Sequence, residues 1–569
     1  LTIIREEIME NNRWTVLKRY RHSSKWHPFR KTALLALSVT IFGTGTVIGQ
    51  TQRVATHYAL NSAEVPAKVL QNARPKVWKG NERGPVEGLM LYRTERPGAV
   101  WLGSDEGAVR FDGKAAHRWD RWQYFHGRRW LQDNDIQNIH VEEGDGLRKV
   151  WIRTKTGVSL IEWRPMTLAE KAAHYEKMID DRHLRHGFVS GCGLFAPGDT
   201  STSQTRDSDN DGLWTAMYLA AEAYRYAVTG SEDALWKARR SMRALMRLEE
   251  ITGITGFFAR SFKSVDEPPH GGGEWHPTPD GKWLWKGDTS SDEAVGHYYA
   301  YAIYFDLVAT EEEKAEMAEV LSRITDHIME NDWNLIDVDG KPTRWGVWGT
   351  EYFKTPEGEY EKALRSLELL SILKTAHHIT GNQKYDDAYR DRLDHGYGTN
   401  TLYYRRWISE EWEINFSDDE LYYLSAFPLF LYEDDPALRD NYLASVRFTW
   451  SQIRPDMNPL WNFMSVASGA GAMTDDILKE SLMTLDRIPL EMVEWRMENS
   501  HRIDIQLRPL ADRSGHPQTT FVLPPDERRI HKWNTNPFIP DGGGDGSSEE
   551  TPTYWLLPYW MGRYYGWIE

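Results

Sequence analysis

From about Met166 onward the chain is a succession of paired helical segments whose two members differ in kind, and this alternation restricts the accessible folds more than any other feature. The segments Leu213–Val228, Glu232–Ile251, Asp292–Ala309, Glu311–Glu330, Leu364–Ile379, Asp419–Tyr432 and Pro436–Trp450 carry helical apolar periodicity and are separated by short turns. The first member of a pair is rich in Tyr, Ala, Gly and Ser, as in T-A-M-Y-L-A-A-E-A-Y-R-Y-A. The second is charged on one face, as in D-A-L-W-K-A-R-R-S-M-R-A-L-M-R-L. A helix without a polar face has to be buried all round, and one with a polar face can cover it. The expected architecture is an (α/α)6 or (α/α)7 toroid of helical hairpins, with inner helices buried and outer ones facing water.

Several expected inner helices begin after a polar cluster. D-S-D-N-D-G-L-W (Asp207–Trp214), D-T-S-S-D-E (Asp288–Glu293), N-F-S-D-D-E (Asn415–Glu420) and D-G-S-S-E-E (Asp545–Glu550) recur in this position. A hydroxyl followed by acids suits a helix N-terminus, because the hydroxyl can accept orphan amide hydrogens and the acids complement the dipole. In a toroid these N-termini would open on one face, so the four clusters would surround a single mouth.

Upstream the texture is β-like. Short alternating runs such as Ala99–Gly103, Ala108–Phe111, Lys149–Arg153 and Gly157–Ile161 are broken by turn residues. The stretch V-W-L-G-S-D-E-G-A-V-R-F-D-G and its echo V-W-I-R-T-K-T-G-V-S-L-I-E-W look like blades of a propeller repeat, but two echoes cannot close a propeller. The expected organisation is an upstream extension or signal peptide over residues 1–50, a linker over 51–80, a small β module over 81–164 and the toroid over 165–569. The first segment reads basic, then apolar and small from Ala33 to Ile48, then Gly49-Gln50, which is the order of a cleavable export signal. A periplasmic or extracellular protein is expected, and the apolar run is short for a membrane span, with an uncleaved signal anchor as the alternative.

Lys and Arg number 68 against 84 Asp and Glu, a formal net charge of -16, which repels nucleic acid and anionic membranes. Many of the 26 tryptophans stand beside Gly, Asp or Arg in expected loops, where they suit stacking on flat sugar faces. The single cysteine, Cys192, excludes an internal disulfide framework and a thiolate cluster, and reads as an inert buried thiol.

Two chemistries fit the polar residues. Glycoside hydrolysis needs an acid and a base or nucleophile flanking one bond, and Asp211, Asp288, Asp292, Glu351, Asp418 and Asp419 are the carboxylates expected near the mouth. Elimination at a uronate needs a base for the C5 proton and groups that neutralise the carboxylate, and here Arg206, Arg260, His270, His276, His297, Tyr298, Tyr301, Arg344, Asn415, Asn458 and Asn462 offer themselves. The loops G-F-F-A-R-S-F, H-G-G-G-E-W-H-P, T-R-W-G-V-W and N-P-L-W-N-F combine Gly, Arg or His with Trp, a mixture suited to sugar stacking and anion contact. Inter-helix packing of loop aromatics is the plain alternative for each. H-G-G-G has no G-x-S-x-G partner in this chain, which removes an esterase reading. Asp207, Asp209 and Asp211 with Gly212 have the D-x-D-x-D-G spacing of a calcium loop, although the twelfth position is Tyr218 rather than Glu.

Over roughly residues 165–569, with D-N-D-G-L-W-T and W-K-G-D-T-S-S-D-E as its motifs, the chain resembles the (α/α)-toroid carbohydrate-active proteins. Among these it looks most like the L-rhamnose-α-1,4-D-glucuronate lyases. The resemblance implies an exported enzyme that binds an acidic oligosaccharide or polysaccharide and cleaves a glucuronate linkage by β-elimination. On that expectation His297 or Tyr301 is base or acid, Arg344 and Arg260 clamp the carboxylate, and Trp285, Trp345 and Trp461 are stacking platforms, with Asp288, Tyr298, Trp348, His270, His276, Asn415, Asn458 and Asn462 in supporting contacts. The alternatives are a hydrolase using two of Asp211, Asp292, Glu351 and Asp419, and a non-catalytic glycan-binding or sensor protein.

Overall fold

The computed structural model describes residues 51–569 apart from 96–97, 145–146, 269, 271, 405–413 and 531, so the expected export signal lies outside the described residues. The chain combines a mainly helical region with a β module and several small sheets.

The β module holds two antiparallel sheets. One has five strands in chain order, Lys76–Val77, Met90–Thr94, Val100–Gly103, Ala108–Phe111 and Trp122–Phe125. The other has four, in the order Thr51–Tyr58, Val158–Pro165, Leu147–Thr154, Ile136–Gly144. The two blade-like sequence echoes form one hairpin in each sheet. Residues 51–58 therefore depart from the linker expectation: Thr51 to Tyr58 pair residue for residue with Pro165 to Val158. A run of mixed polar and apolar residues reads as patternless, yet an edge strand needs only backbone pairing and half-buried side chains.

Twelve helices of nine residues or more follow among the described residues: α1 (Leu168–Arg182), α2 (Asp211–Thr229), α3 (Glu232–Glu250), α4 (Ser291–Leu307), α5 (Glu311–Glu330), α6 (Pro356–Thr380), α7 (Gln383–Asp394), α8 (Phe416–Tyr432), α9 (Pro436–Ile453), α10 (Pro459–Ala467), α11 (Asp475–Arg487) and α12 (Thr553–Tyr564). The even-numbered helices touch in a cycle, α2 on α4, α4 on α6, α6 on α8, α8 on α10, α10 on α12 and α12 on α2. The odd-numbered helices pack outside their neighbours in this cycle, α3 on α2 and α5 on α6 among them.

The two kinds of helix bury different amounts of themselves for the reason their sequences suggest. In α5 the buried residues are Met317, Val320, Leu321, Ile324, Thr325 and Ile328, one stripe at three- and four-residue spacing, and its N-terminus is closed by a capping box between Thr310 and Glu313. In α4 every residue from Glu293 to Tyr304 is buried. Gly296 lets α4 lie against α2, since a Cβ there would come within 2.9 Å of the Leu213 Cα. One apolar cluster runs through this whole region, from Leu168 in α1 to Met561 in α12.

The segment 498–541, between α11 and α12, leaves the helices to pack on the β module. The Trp130 indole donates to the Asp526 carbonyl at 2.8 Å, and Arg129 donates to the carbonyls of Arg528 and Asp526 at 2.6 and 3.2 Å. The chain then returns as strand Gly542–Glu549, between Cys192–Leu194 and Val493–Met497. D-G-S-S-E-E is thus largely strand, not a helix cap, and α12 starts only at Thr553. Among the described residues no helix is long and apolar enough to cross a membrane.

Candidate functional site

The beginnings of α2, α4 and α12 meet around a group of carboxylates. The Glu293 Oε1 accepts the backbone N–H of Leu213 at 3.3 Å, tying the first turn of α4 to the first turn of α2. Gly212 makes this approach feasible, since a Cβ there would stand 1.9 Å from the Glu293 Oε2. Beside them a cavity of ≈ 230 Å³ is lined by Asp207, Ser208 and Trp214 at the start of α2, by Glu550 and Tyr554 at the start of α12, and by Lys532 and Trp533. The Lys532 ammonium pairs with Glu550 at 2.8 Å and lies 5.4 Å from the Trp214 ring centroid.

The carboxylates differ sharply in surroundings. Glu420, on the first turn of α8, is 1% exposed and its Oε1 has no hydrogen-bond partner. Burial pushes its carboxyl well above the ordinary range; the charge of Asp292 adds to the rise and Lys532 opposes it. Glu293 is displaced the same way by burial, against the pull of Arg260 and the Leu213 amide. Glu368, well inside α6, is pushed up to about 7 by burial although Arg365 and the Trp348 indole, at 2.7 Å, both stabilise its anion. Asp292 is half-buried, and its charge raises all three. A half-buried carboxylate thus acts on three buried ones whose carboxyls burial pushes up, a difference of environment of the kind that separates an acid from a base.

Cap chemistry does not account for this end of α4. Ser290 occupies the N-cap without a side-chain cap bond, and the buried hydroxyls of Thr289 and Ser291 have no partners. The Arg260 guanidinium instead knits the entry loops together, donating to the Asp209 carbonyl at 2.7 Å, the Asn210 side chain at 2.9 Å and the Asp288 carbonyl at 3.3 Å. It is a loop clamp, not a free carboxylate-binding group. Asp288, at φ +49°, accepts the Arg344 backbone N–H at 2.9 Å. The Arg344 side chain is exposed over Trp345, 4.5 Å from its ring.

Most of the expected aromatic and histidine residues are core. His297 is fully buried, its Nδ1 2.6 Å from the Glu293 carbonyl and its ring against Phe258 and Tyr301, and burial pushes it down to about 4. Tyr301 is sealed in the interior, and the Tyr298 hydroxyl shares a 2.6 Å hydrogen bond with Thr325, so burial drives both phenols upward and neither serves as a base. Trp285 packs between Phe257 and His276, Trp348 donates to Glu368, and Trp461 stacks on Tyr423 at 4.9 Å, all three being interior side chains rather than sugar platforms. Asn462 bridges the Trp450 indole and Ser481. Asn458 and Asn415 stand at the N-caps of α10 and α8, the first accepting the Leu460 N–H at 3.0 Å and the second donating to Asp418 at 2.6 Å.

The remaining acids also have structural partners. Asp211 is buried between Arg185, Ser261 and Ser208. Asp419 accepts the Tyr404 hydroxyl at 3.0 Å, and Glu351 is exposed beside Lys354. The calcium spacing is answered by the protein's own cations: Lys286 reaches Asp209 at 2.6 Å and Asp207 at 3.8 Å, while Arg185 holds Asp211, so the three carboxylates do not share one centre. His270 and His276 are half-buried, each with a buried Nε2 lacking a partner, in the loops that lead to α4.

Sequence reasoning passed over Glu293, Glu420, Glu368, Lys532, Trp214 and Trp533. The available signal was the repeated Asp-Glu pair, Asp292-Glu293 and Asp419-Glu420, at the same place in two inner helices.

No family model matches the chain, and no curated protein matches it. Among solved structures, a sugar epimerase from a ruminal bacterium aligns with a TM-score of 0.38 at 11% identity, over 70% of this chain and 99% of that one. At that score and identity the likeness fixes neither a family nor an activity.

Proposed function

We propose that this protein is an exported glycan-active enzyme whose helical region is an (α/α)6 toroid, and that it cleaves a glycosidic bond by hydrolysis with Asp292 as base or nucleophile and Glu420 as general acid. The observation that carries this reading is the contrast between the two carboxylates: Glu420 is buried and unpartnered at Oε1, its carboxyl pushed up by burial and by the charge of Asp292, which is itself half-buried. A carboxyl pushed upward by burial can give its proton to a leaving oxygen, while the second carboxylate activates water or attacks the anomeric carbon. Trp214 and Trp533 in the cavity wall supply flat apolar surface for a sugar ring. The closed cycle of six inner helices supports the toroid.

A second reading, uronate elimination, has one observation in its favour. Lys532 and Arg206 line the same cavity, and the surrounding acids hold the Lys532 ammonium in its charged form, burial notwithstanding. Such cations would pair with a substrate carboxylate. Incubation of the purified protein with neutral and uronate-containing glycans separates the two. Hydrolysis releases reducing ends without ultraviolet absorbance, whereas elimination produces the absorbance of an unsaturated uronate. Release of neither across the panel would overturn the enzyme reading in favour of a binding protein.

A further inference from the structure

We propose that His183, Cys192 and Glu549 form a binding site for a thiophilic divalent cation, zinc or a zinc-like ion, opening on the cavity beside the carboxylate group. Three elements bring these residues together. His183 is the C-cap of α1, Cys192 begins a short strand, and Glu549 ends the neighbouring strand in direct register with it. One potential ligand atom from each, an imidazole nitrogen, the thiol sulfur and a carboxylate oxygen, lie within 4.8 Å of one another, and all three residues are buried. The His183 Nε2 stands 3.3 Å, and the Cys192 Sγ 3.8 Å, from the Glu549 Oε2. These separations are close to the edges of a tetrahedron whose centre is bonded at about 2.0–2.3 Å to each corner.

The histidine is oriented for this role. Its Nδ1 lies 2.9 Å from the Ser190 carbonyl, which can only accept, so the ring proton is on Nδ1. The fully buried Nε2 has no hydrogen-bond partner and faces Cys192 and Glu549. A carbonyl that fixes the tautomer of a histidine behind its ligating nitrogen is a recurrent second contact in metal sites. Arg182 grips Glu549 from behind, Nε on Oε2 at 2.5 Å and the other arm on Oε1 at 2.8 Å, which fixes the carboxylate plane. Cys192, Glu549 and Gly191 belong to the cavity wall, so a fourth ligand, water or a sugar hydroxyl, can approach from the open side.

When the cation binds, the Sγ–H bond breaks, the proton leaves to solvent and the thiolate bonds to the metal, with no change of oxidation state. A mixed sulfur, nitrogen and oxygen set suits zinc and cobalt rather than calcium or magnesium. The site is independent of the reading of Asp292 and Glu420 as a catalytic pair.

Cobalt(II) added to chelator-stripped protein tests the proposal by spectrum rather than by activity. The expected result is uptake of one cobalt per chain with a thiolate-to-cobalt charge-transfer band in the near ultraviolet, abolished by an equivalent of zinc. As Cys192 is the only cysteine, the band is expected to vanish in Cys192→Ser, and cobalt affinity to fall at least tenfold in His183→Ala. A wild-type protein that binds cobalt without the band, or not at all, overturns the site regardless of how the variants fold. So does a band that survives in Cys192→Ser, or an affinity unchanged in a folded His183→Ala.

Discussion

Two groups of buried charge can be set side by side in this molecule, one at the seam between the β module and the helices, the other at the start of the inner helices. At the seam Asp526 and Glu527 each have two arginines. Arg487 donates to Asp526 at 2.8 Å and to Glu527 at 3.2 Å, Arg53 reaches Asp526 at 2.6 Å, and Arg502 reaches Glu527 at 2.9 Å. Around the cavity the acids outnumber the cations, and Glu293 and Glu420 each keep one oxygen without a partner. The same burial that opposes ionisation of Asp526 is overcome there by Arg487 and Arg53, which hold it below the ordinary range, whereas at Glu420 burial prevails. Two arginines reverse the effect of burial at Asp526 but not at Glu527, whose carboxyl burial still pushes up.

This contrast can be broken by substitution. Arg487→Ala leaves Asp526 and Glu527 with an incomplete set of partners, and a loss of about 3–5 kcal/mol in urea unfolding is expected. Glu420→Gln keeps shape and removes the acid, so turnover on the identified glycan should fall by about 10²–10⁴-fold while the melting temperature stays level or rises. A melting temperature that drops as in Arg487→Ala would make Glu420 structural instead.

Glu368 gives a test in pH. Its folded-state value of about 7 stands above the ordinary 4.5, so between the two the folded protein keeps a proton that the unfolded chain has released. Stability therefore falls as pH rises from about 4.5 to about 7, by an amount on the order of 3 kcal/mol, and levels off above. Glu368→Gln should flatten that slope in chemical denaturation between these limits. Lys532→Met removes the ammonium that lowers the Glu420 carboxyl, so the alkaline limb of the rate profile should move to higher pH. The smallest effect belongs to a pair in water: Arg243 and Glu316 are 2.6 Å apart and largely exposed, and Glu316→Ala should change stability by less than about 1 kcal/mol.

The helical pairs were legible because an inner helix such as α4 lacks a polar face and an outer one such as α5 has one. The same observation carried a consequence for the site. If α4 is buried all round, then His297, Tyr298 and Tyr301, one to three turns inside it, have no water to face, and they pack into the core accordingly. Asp292 and Glu293 illustrate what stays hidden. Adjacent residues on a helix point about 100° apart, and only the packing around α4 decides that Asp292 stays half-buried while Glu293 turns against Leu213. Lys532 was invisible for another reason: it lies in an irregular segment some 240 residues beyond Asp292 in the chain, with no periodicity to place it.

The segment 498–541 that carries Asp526 and Glu527 also decides how the protein can be taken apart. Trp130 and Arg129 hold it from the β module side, Arg487 from the helical side, and its far end continues into the strand that bears Glu549. Neither half owns its own boundary. Expression of residues 166–569 alone would take Arg53 from Asp526 and leave the seats of Trp130 and Arg129 empty, so the two halves are expected to unfold as one.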